Sequence, residues 1–173
     1  MAFDAPSPRR DLIHLTEGGV EAEPMDVHSI ARAAQARGVP LAISWSLTAE
    51  SRLSSGPSVQ KAVERVEAAV PGAVAWHAIN GSHPPEFEPA LTPGPWLERL
   101  RNIRPNAVAM DKLSLCKLGH LEDGDPVALG RHIGEVARRL PQVDIWGGCC
   151  GPDHRHLTEI VRNVKAVRSG IPA

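Results

Sequence analysis

The stretch "VDIWGGCCGPDHRHL" (residues 143–157) begins with an apolar run, continues through two glycines and two adjacent cysteines, and ends in polar residues. A short apolar run that ends at glycines is typical of a buried strand. Asp153 can cap a helix that follows, because its carboxylate can accept hydrogen bonds from the amide groups of the first helical turn. The stretch therefore predicts one strand–turn–helix unit with both cysteines in the turn.

The same alternation of apolar runs and amphipathic segments continues along the chain. The predicted strands are residues 11–16, 40–47, 73–80, 106–110 and 143–148. The predicted helices are residues 25–38, 58–70, 94–103, 125–140 and 153–167. The strands are apolar without strict alternation, as expected when a parallel sheet is buried on both faces. Five βα units, each roughly thirty residues long, predict an α/β fold with a parallel sheet.

Bulk composition limits the classes of partner. The chain has 173 residues, a formal net charge of -1 and a pI near 6.7, which predicts one domain and no nucleic-acid partner. We find no apolar run of the roughly 18 residues that a membrane span needs. We interpret residues 1–10 as a disordered lead and residues 11–173 as the domain. Without an export signal, we expect a cytoplasmic location, where cysteines occur as thiols or metal ligands.

All three cysteines follow predicted strands. Cys116 follows the fourth strand, and Cys149 and Cys150 follow the fifth. Ligands of parallel α/β folds bind at the carboxyl ends of strands, and thiolates select Zn²⁺, which keeps three protein ligands in catalytic sites. The alternative is that the cysteines are small apolar residues without a site. His154 and His156 point to different faces of the predicted helix, so at most one can reach a metal, and a solvated helix start explains them more simply.

These segments carry a resemblance to a known family. With "AINGSHPPEF", "SRLSSG", "RLRNIRPNA" and "LEDGDPVALGRHIGEVARRLPQVDIWGGCCGPDHRHL", the chain resembles the homocysteine S-methyltransferase family from about residue 11 to the last helix. The resemblance implies a TIM-type (βα)8 barrel that binds one Zn²⁺ through three cysteines. It also implies small-molecule partners, a thiol and a methyl donor, and a reaction that converts homocysteine to methionine.

The implied zinc site lacks one cysteine. The first zinc ligand of the family is a cysteine that follows an asparagine, and Gly81 stands at that position. Cys149 and Cys150 match the other two ligand positions of the family, so the resemblance implies these two residues as the metal ligands. His83 and Cys116 are candidates for the third ligand, because both are predicted in loops at the same end of the sheet.

Two residues are candidates for substrate binding. The family often carries Glu-Thr near its first strand, and Thr16-Glu17 stands there in this chain. Glu17 is the candidate for holding the amino group of the substrate. Asn80 is the second candidate, within the "AINGSHPPEF" stretch that carries the resemblance.

The predicted strands correspond to the fourth to eighth of the barrel. A five-stranded piece does not close, so it leaves two edge strands unpaired. Three interpretations follow: a truncated or degenerate copy that binds metal weakly and is not catalytic; a barrel completed by a second copy or by a complementing N-terminal chain; or a non-catalytic binding module.

Overall fold

The computed structural model describes residues 13–17, 27–110, 114, 117–120 and 122–170, and for residues 13–17 it describes the backbone alone. Within these ranges the strands are β1 (Ile13–Glu17), β2 (Leu41–Trp45), β3 (Val74–Asn80), β4 (Leu100–Arg104) and β5 (Ile145–Trp146). The helices are α1 (Val27–Ala36), α2 (Val59–Ala69), α3 (Pro84–Phe87), α4 (Pro126–Arg139) and α5 (His154–Ser169). Two short 3₁₀ helices, Glu88–Ala90 and Pro95–Arg99, lie between α3 and β4. In the described ranges, no helix has both the length and the apolar character needed to cross a membrane.

The five strands form one parallel sheet in the order β1-β2-β3-β4-β5. This order follows the chain without reversal, which is the arrangement of a barrel segment, whereas a doubly wound sheet reverses its order at a switch point. Among the described strands, β1 and β5 are the edges and the sheet is open. The prediction of a parallel α/β fold that forms an incomplete TIM-type barrel is therefore confirmed.

The fourth strand lies earlier in the chain than the sequence predicted. The helix predicted at residues 94–103 and the strand predicted at residues 106–110 are both wrong, because a 3₁₀ helix and then β4 occupy residues 95–104. The pairing of β3 with β4 skips Arg101, which forms a bulge. The bulge places Leu100 and Ile103 on the same side of the strand. Their spacing of three residues therefore resembles a helical stripe, and this explains the wrong prediction.

The two faces of the sheet differ in character. On the helix-facing side, strand residues join one hydrophobic core with helix residues; its members include Leu41, Ile43, Trp45, Ile79, Ile103, Val63, Ile133 and Ile160. Because side chains alternate along a strand, the register defines the opposite face. We name this opposite side the inner face; it carries Ala42, Ser44, Trp76, Ala78, Asn80, Asn102, Arg104 and Ile145. The inner face is thus richer in polar groups than the helix-facing side.

The last two helices begin at the predicted caps. The Asp125 carboxylate accepts hydrogen bonds from two amides of the first turn of α4, and Asp153 does the same for α5. A Cβ built on Gly130 of α4 would lie 2.5 Å from the Cβ of Glu159 on α5. The two helices therefore cross at a separation that only a glycine permits. Their packing holds both N-termini beside the carboxyl ends of β4 and β5.

Candidate functional site

Three strand ends meet around the paired cysteines. We name residues 147–151, which follow β5, the cysteine turn. The Cys149 amide donates to the Pro105 carbonyl at 2.8 Å, and the Ala107 amide donates to the Cys150 carbonyl at 2.9 Å. These hydrogen bonds tie the cysteine turn to the segment after β4. The positions of both cysteines are thus fixed by the main chain.

Asn106 links the cysteine turn to the segment after β3. Its side-chain oxygen accepts a hydrogen bond from the Cys150 amide at 3.1 Å, and its carbonyl lies 3.1 Å from Nδ1 of His83. A carbonyl only accepts, so the His83 ring carries its proton on Nδ1. Asn106 is 1% exposed. The sequence prediction missed this role, although an asparagine that follows Pro105 is a turn signal rather than a strand signal.

The two sulfurs lie close to each other without a covalent bond. Cys149 Sγ and Cys150 Sγ are 3.9 Å apart, and both residues are exposed. A disulfide requires about 2.05 Å. For a Zn²⁺ ion with Zn–S bonds of about 2.3 Å, a separation of 3.9 Å corresponds to an S–Zn–S angle of about 116°, near the tetrahedral value of about 109°. The spacing therefore suits two ligands of one tetrahedral ion.

Gly81 lies beside the pair. A Cβ built on Gly81 would be 4.0 Å from Cys149 Sγ and 2.8 Å from Ser46 Oγ. Its φ of +64° is in the left-handed region, which glycine adopts without strain. A side chain at this position would reach Cys149 Sγ, but glycine has no donor atom.

The two candidates for a third ligand do not complete the set. The ring of His83 lines a cavity of about 260 Å³ with His132 and Ala107, and neither Cys149 nor Cys150 is part of that lining. Burial lowers the pKa of His83, against the effect of its hydrogen bond to the Asn106 carbonyl. Cys116 lies outside the described residues.

The described residues do not fit a catalytic zinc centre. Nowhere in the described ranges do three His, Cys, Asp or Glu side chains gather where they could hold a metal ion. A catalytic Zn²⁺ ion needs three protein ligands. Cys149 and Cys150 supply two, so this part of the chain forms a two-thiol site.

The histidines after the cysteine turn have separate environments. The side chain of His154 is 88% exposed, as expected for a solvated helix start. The same expectation is wrong for His156, whose side chain is fully buried. Its Nε2 donates to the Asp123 carbonyl at 2.5 Å, and its Nδ1 lies 2.9 Å from the Asp153 carboxylate. The contact with His156 is the main cause that lowers the pKa of Asp153. His156 therefore secures the start of α5.

The candidate substrate residues lie at the same end of the sheet. Asn80 is 6% exposed, and its side-chain oxygen accepts a hydrogen bond from Ser46 Oγ at 3.3 Å. The backbone of Glu17 pairs with Trp45 at the carboxyl end of β1, on the edge opposite β5. The side chain of Glu17 lies outside what the structure describes. Substrate binding by these two residues stays a prediction.

The comparison with protein families decides the affiliation. A family model described as homocysteine S-methyltransferase matches residues 22–164, which include the cysteine turn and every strand from β2 to β5. The chain belongs to the homocysteine S-methyltransferase family. Neither a curated protein nor a solved structure matches it. This family member therefore carries the fold of a TIM-type methyltransferase family, with Gly81 beside two of its thiols.

Proposed function

We propose that this homocysteine S-methyltransferase family member binds a homocysteine-type thiol at the carboxyl ends of β3, β4 and β5 and takes part in methyl transfer to its sulfur. The single observation that carries the proposal is the 3.9 Å separation of the exposed Cys149 and Cys150 sulfurs at this end of the sheet. The match to the family over residues 22–164 supports the reaction class.

The proposed reaction is an in-line displacement. The thiol first loses its proton to solvent, because the thiolate is the nucleophile. A new S–CH₃ bond forms while the bond between the methyl carbon and the sulfonium or ammonium donor breaks, and the donor leaves with that electron pair. The task of the protein is to hold the thiolate and the methyl carbon in line.

We also propose that Cys149 and Cys150 hold Zn²⁺ as two of its ligands. Cys116 remains the candidate for the third ligand, as the chain contains no further cysteine. Thiols remain reduced and able to bind a soft ion in a reducing compartment, so the cytoplasm is the proposed location.

The test uses the purified full chain. We expect methionine to form from homocysteine with S-methylmethionine or betaine as donor, and we expect a loss of at least about 100-fold when both cysteines are replaced by serine. His154→Ser is the matched control, because His154 is exposed at the start of α5, close to the cysteine turn in the sequence. Homocysteine that stays unmethylated with every sulfonium and ammonium donor tested would contradict the proposal.

A second candidate function follows from Gly81 and the open sheet. A family member with two thiols at the cysteine turn, and with unpaired edges among its described strands, would bind a thiol or a metal weakly until a second copy or a complementing chain completes the barrel. Mass measurement of the native protein separates the two candidates. Activity from a monomer supports the first, whereas activity that appears only in an oligomer or a mixed complex supports the second.

A further inference from the structure

Two polar groups on the inner face are buried without partners in the described part of the chain. The Nε atom of Arg104 is shielded from solvent and has no hydrogen-bond partner, and the same is true of Oδ1 of Asn102. Asn102 is 8% exposed. A buried polar atom without a partner is costly, so an atom of this kind in a native structure calls for an explanation.

Among the described residues, the charge of Arg104 has no counter-ion. Within the described part of the chain, its guanidinium forms no ion pair, although Arg99 and Arg101 of the neighbouring segment are both paired with carboxylates. A half-buried guanidinium with five donors in a planar fork is suited to a carboxylate or a phosphate.

Arg104 adjoins the segments that hold the thiol pair. Its carbonyl accepts a hydrogen bond from the Gly81 amide at 3.2 Å, and the Cys149 amide bonds to the next residue, Pro105. A Cβ on Gly147 would lie 3.3 Å from Cγ and 3.4 Å from Cδ of Arg104. The arginine stem therefore packs against Gly147, the first glycine of the cysteine turn.

Asn102 precedes Arg104 by two residues on β4 and lies on the same inner face of the sheet. Residues two apart on a strand point to the same side and are about 6.6 Å apart along it. An α-amino acid with its thiol at the cysteine turn would extend its charged end along this row. The carboxylate would meet Arg104 and the ammonium would meet the free oxygen of Asn102.

We propose that Arg104 and Asn102 form a headgroup site for an α-amino acid, with Arg104 binding its carboxylate and Asn102 accepting from its ammonium group. This inference rests on the proposed function for the identity of the thiol. It makes Arg104 the residue that selects an amino-acid thiol over a simple thiol.

The test measures binding of four probes to the full chain by calorimetry. They are L-homocysteine, 3-aminopropane-1-thiol, which lacks the carboxylate, 4-mercaptobutyrate, which lacks the amine, and L-2-aminobutyrate, which lacks the thiol. We expect homocysteine to bind at least about tenfold more tightly than 3-aminopropane-1-thiol, and we expect Arg104→Met to abolish that difference. Asn102→Ala is expected to abolish the advantage of homocysteine over 4-mercaptobutyrate.

Arg101→Met is the matched control, because Arg101 belongs to the same strand but is exposed and paired with Asp144. Thermal unfolding of each variant checks that the fold is retained.

If folded Arg104→Met still prefers homocysteine over 3-aminopropane-1-thiol, the headgroup site is overturned while the proposed function stands. If homocysteine does not bind but L-2-aminobutyrate binds in an Arg104-dependent way, the headgroup site stands and the thiol function fails. If no probe binds, both are overturned.

Discussion

The hydroxyl oxygen of Ser46 occupies the space that a side chain on Gly81 would need, because a Cβ there would lie only 2.8 Å from it. Ser46 Oγ donates to the Asn80 carbonyl at 2.9 Å, so this hydroxyl is held in place. A change at position 81 therefore depends on the residue at position 46.

A third thiol can be added at this site only with a second change. We expect Gly81→Cys alone to lower stability by about 1–2 kcal/mol through its left-handed backbone, with a further cost from contact with Ser46. Combined with Ser46→Ala, it should bind zinc at least about tenfold more tightly than the natural chain, because a third thiolate joins the pair. Metal titration and thermal unfolding measure both effects. A folded double variant with unchanged zinc affinity would show that position 81 does not face the ion.

Asn106 is expected to control the shape of the cysteine turn. Asn106→Ala removes the acceptor of the Cys150 amide in a buried place, so we expect a loss of about 1–3 kcal/mol in unfolding free energy and faster reaction of both thiols with a thiol reagent. Asn106→Asp keeps the acceptor oxygen, so its thiol reactivity should stay closer to that of the natural chain. Equal reactivity in all three proteins would exclude this role.

His77 should make stability depend on pH. It is fully buried, its Nδ1 accepts from Trp45 Nε1 at 3.0 Å, and its Nε2 lies 3.1 Å from Glu67, which also accepts from Arg99. Burial lowers the pKa of His77 below its ordinary value, despite the raising effect of Glu67.

The sign of the effect follows from linkage. The unfolded chain takes up a proton near pH 6.5 and the folded chain does so only at lower pH, so stability falls as pH drops below about 7. The lowered pKa of Glu67 acts at more acidic pH, because its own contribution is lost only as pH falls below about 4.5. Urea unfolding between pH 7.5 and 5.5 should therefore show a decline that is smaller in His77→Gln. Parallel curves for the two proteins would contradict the assignment.

The crossing of α4 and α5 should not tolerate a methyl group at Gly130. Alanine gains about 1 kcal/mol of helix propensity over glycine. The methyl group would meet the Glu159 backbone at 2.7 Å, and overpacking of this kind costs about 1–3 kcal/mol or more, so the clash outweighs the gain. Chemical denaturation should show Gly130→Ala to be destabilised, while Arg131→Ala, on the exposed side of α4, changes stability by less than about 0.5 kcal/mol. A stabilised Gly130→Ala would mean that the helices lie further apart.

The βα alternation was predictable from the sequence because each unit carries its own local signals. Asp125 and Asp153 indicated where the last two helices begin, and turn residues flanked the apolar runs of β2, β3 and β5. The position of β4 was not predictable, because the bulge at Arg101 changes the spacing of its apolar residues and a bulge depends on the partner strand.

The site was predictable only in part. Adjacent cysteines before a capped helix located the thiols at a strand end, and the family resemblance indicated the missing ligand at Gly81. The hydrogen bond between Asn106 and Cys150 and the approach of Arg104 to Gly147 join residues more than forty positions apart in the sequence. Local sequence patterns do not predict contacts between residues so far apart.

Two of the hydrogen bonds that hold the cysteine turn run between peptide groups of neighbouring segments, through Pro105 and Ala107. The side chains of Cys149 and Cys150 can therefore be exchanged without breaking these two hydrogen bonds. For protein engineers, new donor atoms can therefore be installed at positions 149 and 150 while the scaffold beneath keeps its shape, and at position 81 once Ser46 is changed as well.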